Sequence, residues 1–260
     1  MIQSLSRHTL RTVVSPIAFG LGLVLTWELV CDAFKVSKFI IPRPSAIGPM
    51  FFSHWDVIWP NALQTLSTTF AGFAIGISLG FLLGVALGAS AGLHKTIFAT
   101  LIGINNIPKI AFTPLMVLWI GLGTIPAIMT SAFIVIFPIA IIVSSSVAAM
   151  DAELSDVLRS LGASRLLTLI KIGIPQAMPG FFAALKIAIT LALIGTFLSE
   201  SVAANRGLGY MMERAASDFD VELVFSGLTA LVVIALSLYV LVIVIERRVV
   251  GWAYRKGKAT

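Results

Sequence analysis

Long apolar segments, separated by short polar connections, make up most of the chain. Nearly charge-free runs, divided at the turn-forming residues 92–95 and 121–126, predict six apolar spans. The spans lie near residues 12–33, 62–91, 97–119, 126–149, 177–202 and 223–246. A helix of about 20 apolar residues crosses the hydrocarbon core of a bilayer. The pattern therefore predicts an all-α, polytopic membrane protein with six transmembrane helices.

The composition agrees with a membrane domain and leaves little room for anything else. Hydrophobic residues make up 58% of the 260 residues and charged residues only 12%, which lies far outside the range of soluble globular domains. No hydrophilic stretch is long enough to fold beside the helices, so we expect a single transmembrane domain over residues 1–260. The first apolar run is too long for a secretory signal, and we interpret it as a retained helix.

The distribution of Lys and Arg predicts the orientation, because cationic residues concentrate on the cytoplasmic side. Placing both termini inside puts most of these residues in cytoplasmic segments. This inner set is Arg7, Arg11, Lys95, Arg159, Arg165, Lys171, Arg247, Arg248, Arg255, Lys256 and Lys258. The net charge of +6 is then explained by a basic inner face, without nucleic-acid binding.

A polar island at residues 151–171, DAELSDVLRSLGASRLLTLIK, interrupts the apolar pattern. It predicts a short amphipathic helix whose apolar stripe follows helical spacing and consists of Leu154, Val157, Leu158 and Leu161. Gly162 is expected to end this helix in a left-handed conformation, and Ser164 to cap the next one. The stripe must bury itself in the membrane interface or in a groove of another protein. Acidic first turns slightly favour the groove.

The island resembles the cytoplasmic signature of permease subunits of ATP-binding-cassette importers. That signature reads Glu-Ala-Ala, three residues, Gly, nine residues, Ile-x-Leu-Pro, and here Asp156-Val157-Leu158, Gly162 and Ile172-Gly-Ile174-Pro175 fall in the same register. Asp replaces Glu, and larger side chains replace the alanines. The resemblance implies a cytoplasmic coupling loop at residues 151–175 that contacts the ATPase through Leu154, Asp156, Val157, Leu158, Leu161, Gly162, Ala163 and Pro175.

Four further motifs resemble the nitrate/sulfonate/taurine branch of this family, over about residues 40–250. They are Ile41-Pro-Arg-Pro44, Asn106-Ile-Pro-Lys-Ile-Ala-Phe-Thr-Pro114, Trp119-Ile-Gly-Leu-Gly123 and Arg206-Gly-Leu-Gly-Tyr210. The resemblance implies a homodimer in a bacterial cytoplasmic membrane, two ATPase subunits and an extracytoplasmic substrate-binding protein. The cargo would be a small anionic or aromatic/heterocyclic solute. The chain has no phosphate-binding loop, so ATP and Mg would be bound by the partner ATPase, and the chain would be a transport subunit rather than an enzyme.

Glycines recur every four residues in the second span, at Gly72, Gly76, Gly80, Gly84, Gly88 and Gly92. Small residues at this spacing let helices approach closely in lipid, and we favour this interpretation over a sliding surface for alternating access. Each four-residue step drifts by about 40° around a straight helix. We therefore expect the row to contact more than one neighbour or to bend the helix.

The third span is interrupted by polar residues and prolines at membrane depth, which predicts that it lines the translocation pathway. These residues are Asn105, Asn106, Pro108, Lys109, Thr113 and Pro114. Lys109 could guide an anionic substrate or pair with an acid. Glu200 is a candidate for that partner, a gate residue of the pathway, or a solvated helix end. For Lys186, near the inner end of the fifth span, we expect a snorkelling side chain.

Two other classes of function remain open from the residues alone. An ion-coupled secondary transporter usually shows inverted repeats or paired ionisable groups at the midplane, and no convincing repeat is present. An intramembrane enzyme needs a nucleophile-base pair or a metal site. The three histidines, His8, His54 and His94, are scattered without metal-ligand spacing, so no metal site is predicted.

Overall fold

The computed structural model describes residues 2–252, and every regular element in that part of the chain is helical. Eleven α-helices follow one another: α1 Ile2–Ala33, α2 Pro44–Ser53, α3 Trp55–Gly88, α4 Ala91–Asn105, α5 Phe112–Ile120, α6 Thr124–Ala148, α7 Ala152–Ser160, α8 Arg165–Thr168, α9 Ile174–Ala203, α10 Leu208–Ser217 and α11 Val221–Val249. A 3₁₀ turn at Lys109–Ala111 precedes α5, and a π-helical turn at Leu169–Gly173 joins α8 to α9. The all-α prediction is confirmed.

Four helical segments within the described residues are long and apolar enough to cross a membrane. They are Trp55–Gly88, Thr124–Ala148, Arg165–Ala203 and Val221–Val249, and each contains or overlaps a predicted span. The side chains of Arg7 and Arg11 in α1, and all of Arg255, Lys256 and Lys258, lie outside the described residues. The count of six spans and the orientation drawn from these charges stay predictions.

The third predicted span, 97–119, is wrong as a single helix. Helix α4 ends at Asn105, and α5 begins only at Phe112, after the 3₁₀ turn. Pro108 explains the break, because proline has no N–H to donate and disfavours a helical conformation in the residue before it. The break lies in the segment that the sequence singled out for its prolines and amides.

Contacts divide the chain into two compact units, Met1–Trp59 with Met212–Ala230 and Pro60–Met211 with Leu231–Thr260. In the first unit, Glu28 of α1 holds the start of α2, because its carboxylate accepts hydrogen bonds from the N–H (3.0 Å) and hydroxyl (2.7 Å) of Ser45. Ion pairs between Arg43 and Asp32 (2.9 Å) and between Lys38 and Glu222 (3.2 Å) add to this unit.

In the second unit, α6 lies against α3, and the glycine row forms the contact. A Cβ added to Gly76 would lie 2.6 Å from Val135 Cβ, and one on Gly80 would lie 2.7 Å from the carbonyl oxygen of Ile136. Gly72, Gly84 and Gly88 meet α6 in the same way, whereas Gly92 has only Ser90 nearby. Five of the six glycines therefore face one helix, so the first alternative, contact with several neighbours, is wrong for them, and the second, a bent helix, stays a prediction.

The reason is that the row on α6 advances by the same step as the glycines. Ser131, Val135, Ile139, Val143 and Val147 follow one another at four-residue intervals along the glycine row. Two rows that drift around their helices in the same sense stay in contact when the helices wrap around each other. The glycine row of α3 keeps a single neighbouring helix because the side chains it meets on α6 have the same four-residue spacing.

Helix α9 packs against α6 through small side chains. Ala184, Ala188 and Ala192 are fully buried and share one hydrophobic core with Val135 and Val143. Small residues allow the close approach of two backbones in a membrane domain. Helices α3, α6 and α9 consequently form the tightly packed centre of the second unit, and the candidate sites lie at its two ends.

Candidate functional site

The predicted helix of the polar island is present as α7, and side chains and backbone cap both of its ends. Asp151 Oδ1 accepts hydrogen bonds from the N–H groups of Glu153 (3.0 Å) and Leu154 (3.3 Å). At the other end Gly162 has a φ of +86°. The N–H of Gly162 donates to the Arg159 carbonyl, and that of Ala163 to the Leu158 carbonyl, both at 3.0 Å. This is a Schellman motif, which confirms Gly162 as the C′ residue.

The apolar stripe of α7 is exposed within the described chain. Leu154, Val157 and Leu161 are 53%, 57% and 78% exposed, and Leu158 is half-buried. Asp156 and Gly162 are also exposed, whereas Ala163 and Pro175 are half-buried. A self-capped helix that presents large apolar side chains can lay them into a groove of another protein.

The arm, residues 164–175, connects the island to α9 and is helical from Arg165 onward. Ser164 Oγ accepts the hydrogen bond of the Leu167 N–H at 3.2 Å, as the capping prediction requires. Helix α8, the π-helical turn and α9 then run on as one helical segment, Arg165–Ala203. The N–H of Asp151 also donates to Gln176 Oε1 at 3.3 Å. One hydrogen bond and a continuous helical segment thus join this region to α9.

The residues predicted to line the pathway surround the break between α4 and α5. Lys109 Nζ donates to the backbone carbonyl of Asn105 and to its Oδ1 (3.0 Å), and it lies 5.7 Å from the centre of the Phe137 ring. Asn106, Pro108 and Pro114 are exposed. By contrast, Asn105 and Lys109 are half-buried, and Thr113 is buried. The break thus holds a half-buried cation against the Asn105 amide, beside exposed residues Asn106, Pro108 and Pro114.

Glu200 is buried, and its hydrogen-bond partners do not include Lys109. Only 1% of it is exposed, and its Oε2 accepts hydrogen bonds from Thr65 Oγ1 at 2.6 Å and from the Gly209 N–H at 3.2 Å. The alternatives of a solvated helix end and of a partner for Lys109 are therefore wrong. A side chain buried inside one chain also does not line an open surface of that chain.

Two residues around Glu200 were not predicted from the sequence. Thr65 Oγ1 also accepts the hydrogen bond of the Leu208 N–H at 2.8 Å, and Asn61 Oδ1 accepts that of the Gly207 N–H at 2.8 Å. Asn61 and Thr65 are four residues apart on α3 and share a face. That spacing is the only local signal they carry, because their partners are 135 or more positions away.

Lys186 does not snorkel, which corrects the expectation drawn from the sequence. Its ammonium forms an ion pair with Glu246 of α11, at 2.9 Å from Oε2 and 3.0 Å from Oε1. Glu246 is buried, so each charge compensates the other where solvent is largely excluded. Within residues 2–252, no group of three or more His, Cys, Asp or Glu side chains could hold a metal ion.

The fold has counterparts among solved structures. A chain of the structure titled "Inward facing conformations of the MetNI methionine ABC transporter" superposes with a TM-score of 0.59 at 22% identity, over 77% of this chain and 97% of that one. At this level of identity the similarity shows the fold alone.

Sequence relatives define the family. The riboflavin transport system permease protein RibX of Chloroflexus aurantiacus is 32% identical over 96% of this chain and 94% of its own length. The taurine transport system permease protein TauC of Escherichia coli is 25% identical over 88% and 86%. Residues 100–251 match the family described as the binding-protein-dependent transport system inner membrane component. This chain belongs to that family of ABC transporter permeases.

Proposed function

We propose that the chain is the transmembrane subunit of an ABC importer and that it moves a small solute across the membrane when partner ATPase subunits hydrolyse ATP. The exposed apolar stripe of α7 supports this most strongly. A helix that is capped at both ends by its own chain needs no partner to fold, yet it leaves Leu154, Val157 and Leu161 exposed. Burial of such side chains in a groove of the ATPase would be favourable.

Coupling would proceed through the continuous helical segment that begins at α8. Closure of the ATPase around α7 would displace the coupling loop, residues 151–175, as a rigid body. The Asp151–Gln176 hydrogen bond and the helical segment Arg165–Ala203 would then carry this displacement into α9. Gly162 would serve as the corner of the loop and Pro175 as the entry into α9.

Two copies of the chain would enclose the translocation pathway. The surface at the break between α4 and α5 is suited to line it, because irregular backbone is tolerated at membrane depth where it faces a water-filled cavity. Asn105, Asn106, Pro108 and Pro114 would contribute this lining together with Lys109. The two hydrogen bonds to Asn105 leave Lys109 a further N–H for an anionic group of the cargo.

The names of the relatives support a small anionic or heterocyclic cargo. One relative is named for riboflavin and another for taurine. A substrate-binding protein outside the membrane would deliver the cargo, and the acidic and basic residues of the segment 205–220 would be suited to contact it. Both termini would lie in the cytoplasm, and ATP and Mg would be bound by the ATPase.

The proposal is tested by co-expressing the chain with its ATPase and measuring co-purification and ATP-dependent uptake in proteoliposomes. Val157→Glu should abolish co-purification, because it places a charge in the apolar groove. Ala152→Glu introduces the same charge into the same helix but on the opposite face, and it should leave co-purification unchanged. Uptake driven by an ion gradient without ATP would instead support a secondary transporter, and equal loss in both variants would refute the groove contact.

A further inference from the structure

The first turn of α10 is held by side chains from two other helices. Three consecutive backbone N–H groups, those of Gly207, Leu208 and Gly209, donate to Asn61, Thr65 and Glu200, respectively. The first four N–H groups of a helix have no partner within it. Here α3 and α9 supply acceptors for three of them in α10. We call Asn61, Thr65, Glu200 and these three N–H groups the latch.

The latch closes tightly because glycine stands where the carboxylate comes nearest to the backbone. A Cβ on Gly207, which has a φ of +112°, would overlap the carboxyl group of Glu200. A Cβ on Gly209 would overlap the carbonyl oxygen of Phe197. The glycines of the Arg206-Gly-Leu-Gly-Tyr210 motif are therefore explained by the approach of α9 to the start of α10.

The latch provides partners for three backbone N–H groups, for the Thr65 hydroxyl and for Oε2 of Glu200, whereas Oε1 of Glu200 is buried without a hydrogen bond to any described residue. Thr65 both donates to Glu200 and accepts from Leu208, so one hydroxyl links the carboxylate to the backbone. Breaking a buried network of this kind leaves donors and an acceptor without partners. The latch is consequently expected to stay closed as α9 moves.

The latch lies at the end of α9 opposite to the coupling loop. Helix α9 begins at the arm of the coupling loop, and Glu200 lies near its other end, about 40 Å away at 1.5 Å per residue. We propose that Glu200 is a positioning residue of the transport cycle, whose latch makes α3, α9 and the first turn of α10 move as one body when the coupling loop is displaced. This inference rests on the proposed function.

Hydrogen exchange tests the latch itself, independently of transport. The amide of Gly209 in Glu200→Ala and the amide of Leu208 in Thr65→Val should exchange about tenfold faster or more, because each variant removes the acceptor of that N–H group. Ser201→Ala is the matched control, because the Ser201 hydroxyl donates only to the Phe197 carbonyl of its own helix at 3.0 Å. Unchanged exchange in both latch variants would overturn the latch.

Transport in proteoliposomes tests the proposed role of the latch in coupling ATP hydrolysis to import. Glu200→Ala and Thr65→Val should keep their ATPase bound, hydrolyse ATP within about twofold of the wild-type rate, and import at least about fivefold less cargo per ATP. Glu200→Gln and Thr65→Ser keep the acceptor and hydroxyl groups and should restore the import-to-ATP ratio. Thr65→Val is the milder change if Glu200→Ala does not assemble.

The outcomes separate the two proposals. An unchanged ratio in variants whose amides exchange faster would overturn the coupling role of Glu200. A Glu200→Gln protein as defective as Glu200→Ala would show that the charge, not the acceptor geometry, is needed, and would overturn it as well. Failure of the wild-type chain to bind any ATPase would refute the proposed function and leave the exchange result standing.

Discussion

The two ends of α9 solve opposite problems of burial. At its start, the coupling loop exposes apolar side chains, Leu154, Val157 and Leu161, on a helix that caps itself. At its other end, the chain buries polar groups, Glu200 and Thr65, and satisfies the backbone of the next helix with them. The first end keeps its local structure but lacks a partner for its surface, whereas the second finds its partners within the chain.

The start of α9 therefore has the properties of a binding surface, and its far end has those of a folded interior. Exposed apolar side chains on a stable helix gain free energy when another molecule covers them. The buried carboxylate of Glu200 is held through Oε2 by donors of its own chain, and it loses these hydrogen bonds if they leave. Substitutions at the start of α9 should therefore affect binding, and those at its far end should affect the folded chain.

The two glycines at these ends give the largest expected contrast. Gly209→Leu should prevent accumulation of folded protein, because its Cβ would overlap a backbone carbonyl that cannot move without disturbing α9. Gly162→Leu has no atom within 4 Å of the new Cβ, and its cost is the left-handed backbone, about 1–2 kcal/mol. Thermal unfolding in detergent measures both. Equal destabilisation would remove the contrast between the two ends.

The ion pair between Lys186 and Glu246 shows whether charge or hydrogen bonding stabilises buried carboxylates in this chain. Lys186→Met should destabilise the protein by about 3–5 kcal/mol, because it removes the Lys186 ammonium from the buried, charged carboxylate of Glu246. The double variant with Glu246→Gln should recover most of this loss. Glu200→Gln, which has no cation to lose, should cost less than Lys186→Met in the same unfolding assay, and the reverse order would contradict this account of Glu200.

The N-cap of α7 gives the smallest effect. Asp151→Ala removes the acceptor for the Glu153 and Leu154 N–H groups and should destabilise the helix by about 1 kcal/mol. The apolar stripe would remain, so ATPase binding should weaken by less than in Val157→Glu. Asp151→Asn keeps an acceptor oxygen and should restore binding, which titration of the purified subunit with its ATPase measures.

The local structure of the loop at residues 151–175 was the part of the molecule best predicted from the sequence. Its stripe, its C′ glycine and its Ser164 cap are all relations between residues at most a few positions apart, and the structure contains each of them. The latch was not predictable in this way. Thr65 and Glu200 are separated by 135 positions, and their contact depends on α3 lying beside α9.

The sequence by itself determined the helical class, the membrane environment and where some of the helices end. Periodicity, prolines and caps act over one or two turns, so the end of α7 follows from neighbouring residues, and Pro108 marked an interruption of the third span although that span was predicted as one helix. The tertiary structure alone decided that five glycines of α3 face α6, that Lys186 pairs with Glu246, and that Glu200 is buried. These outcomes depend on which helices become neighbours, and helical spacing fixes a face without naming the helix that covers it.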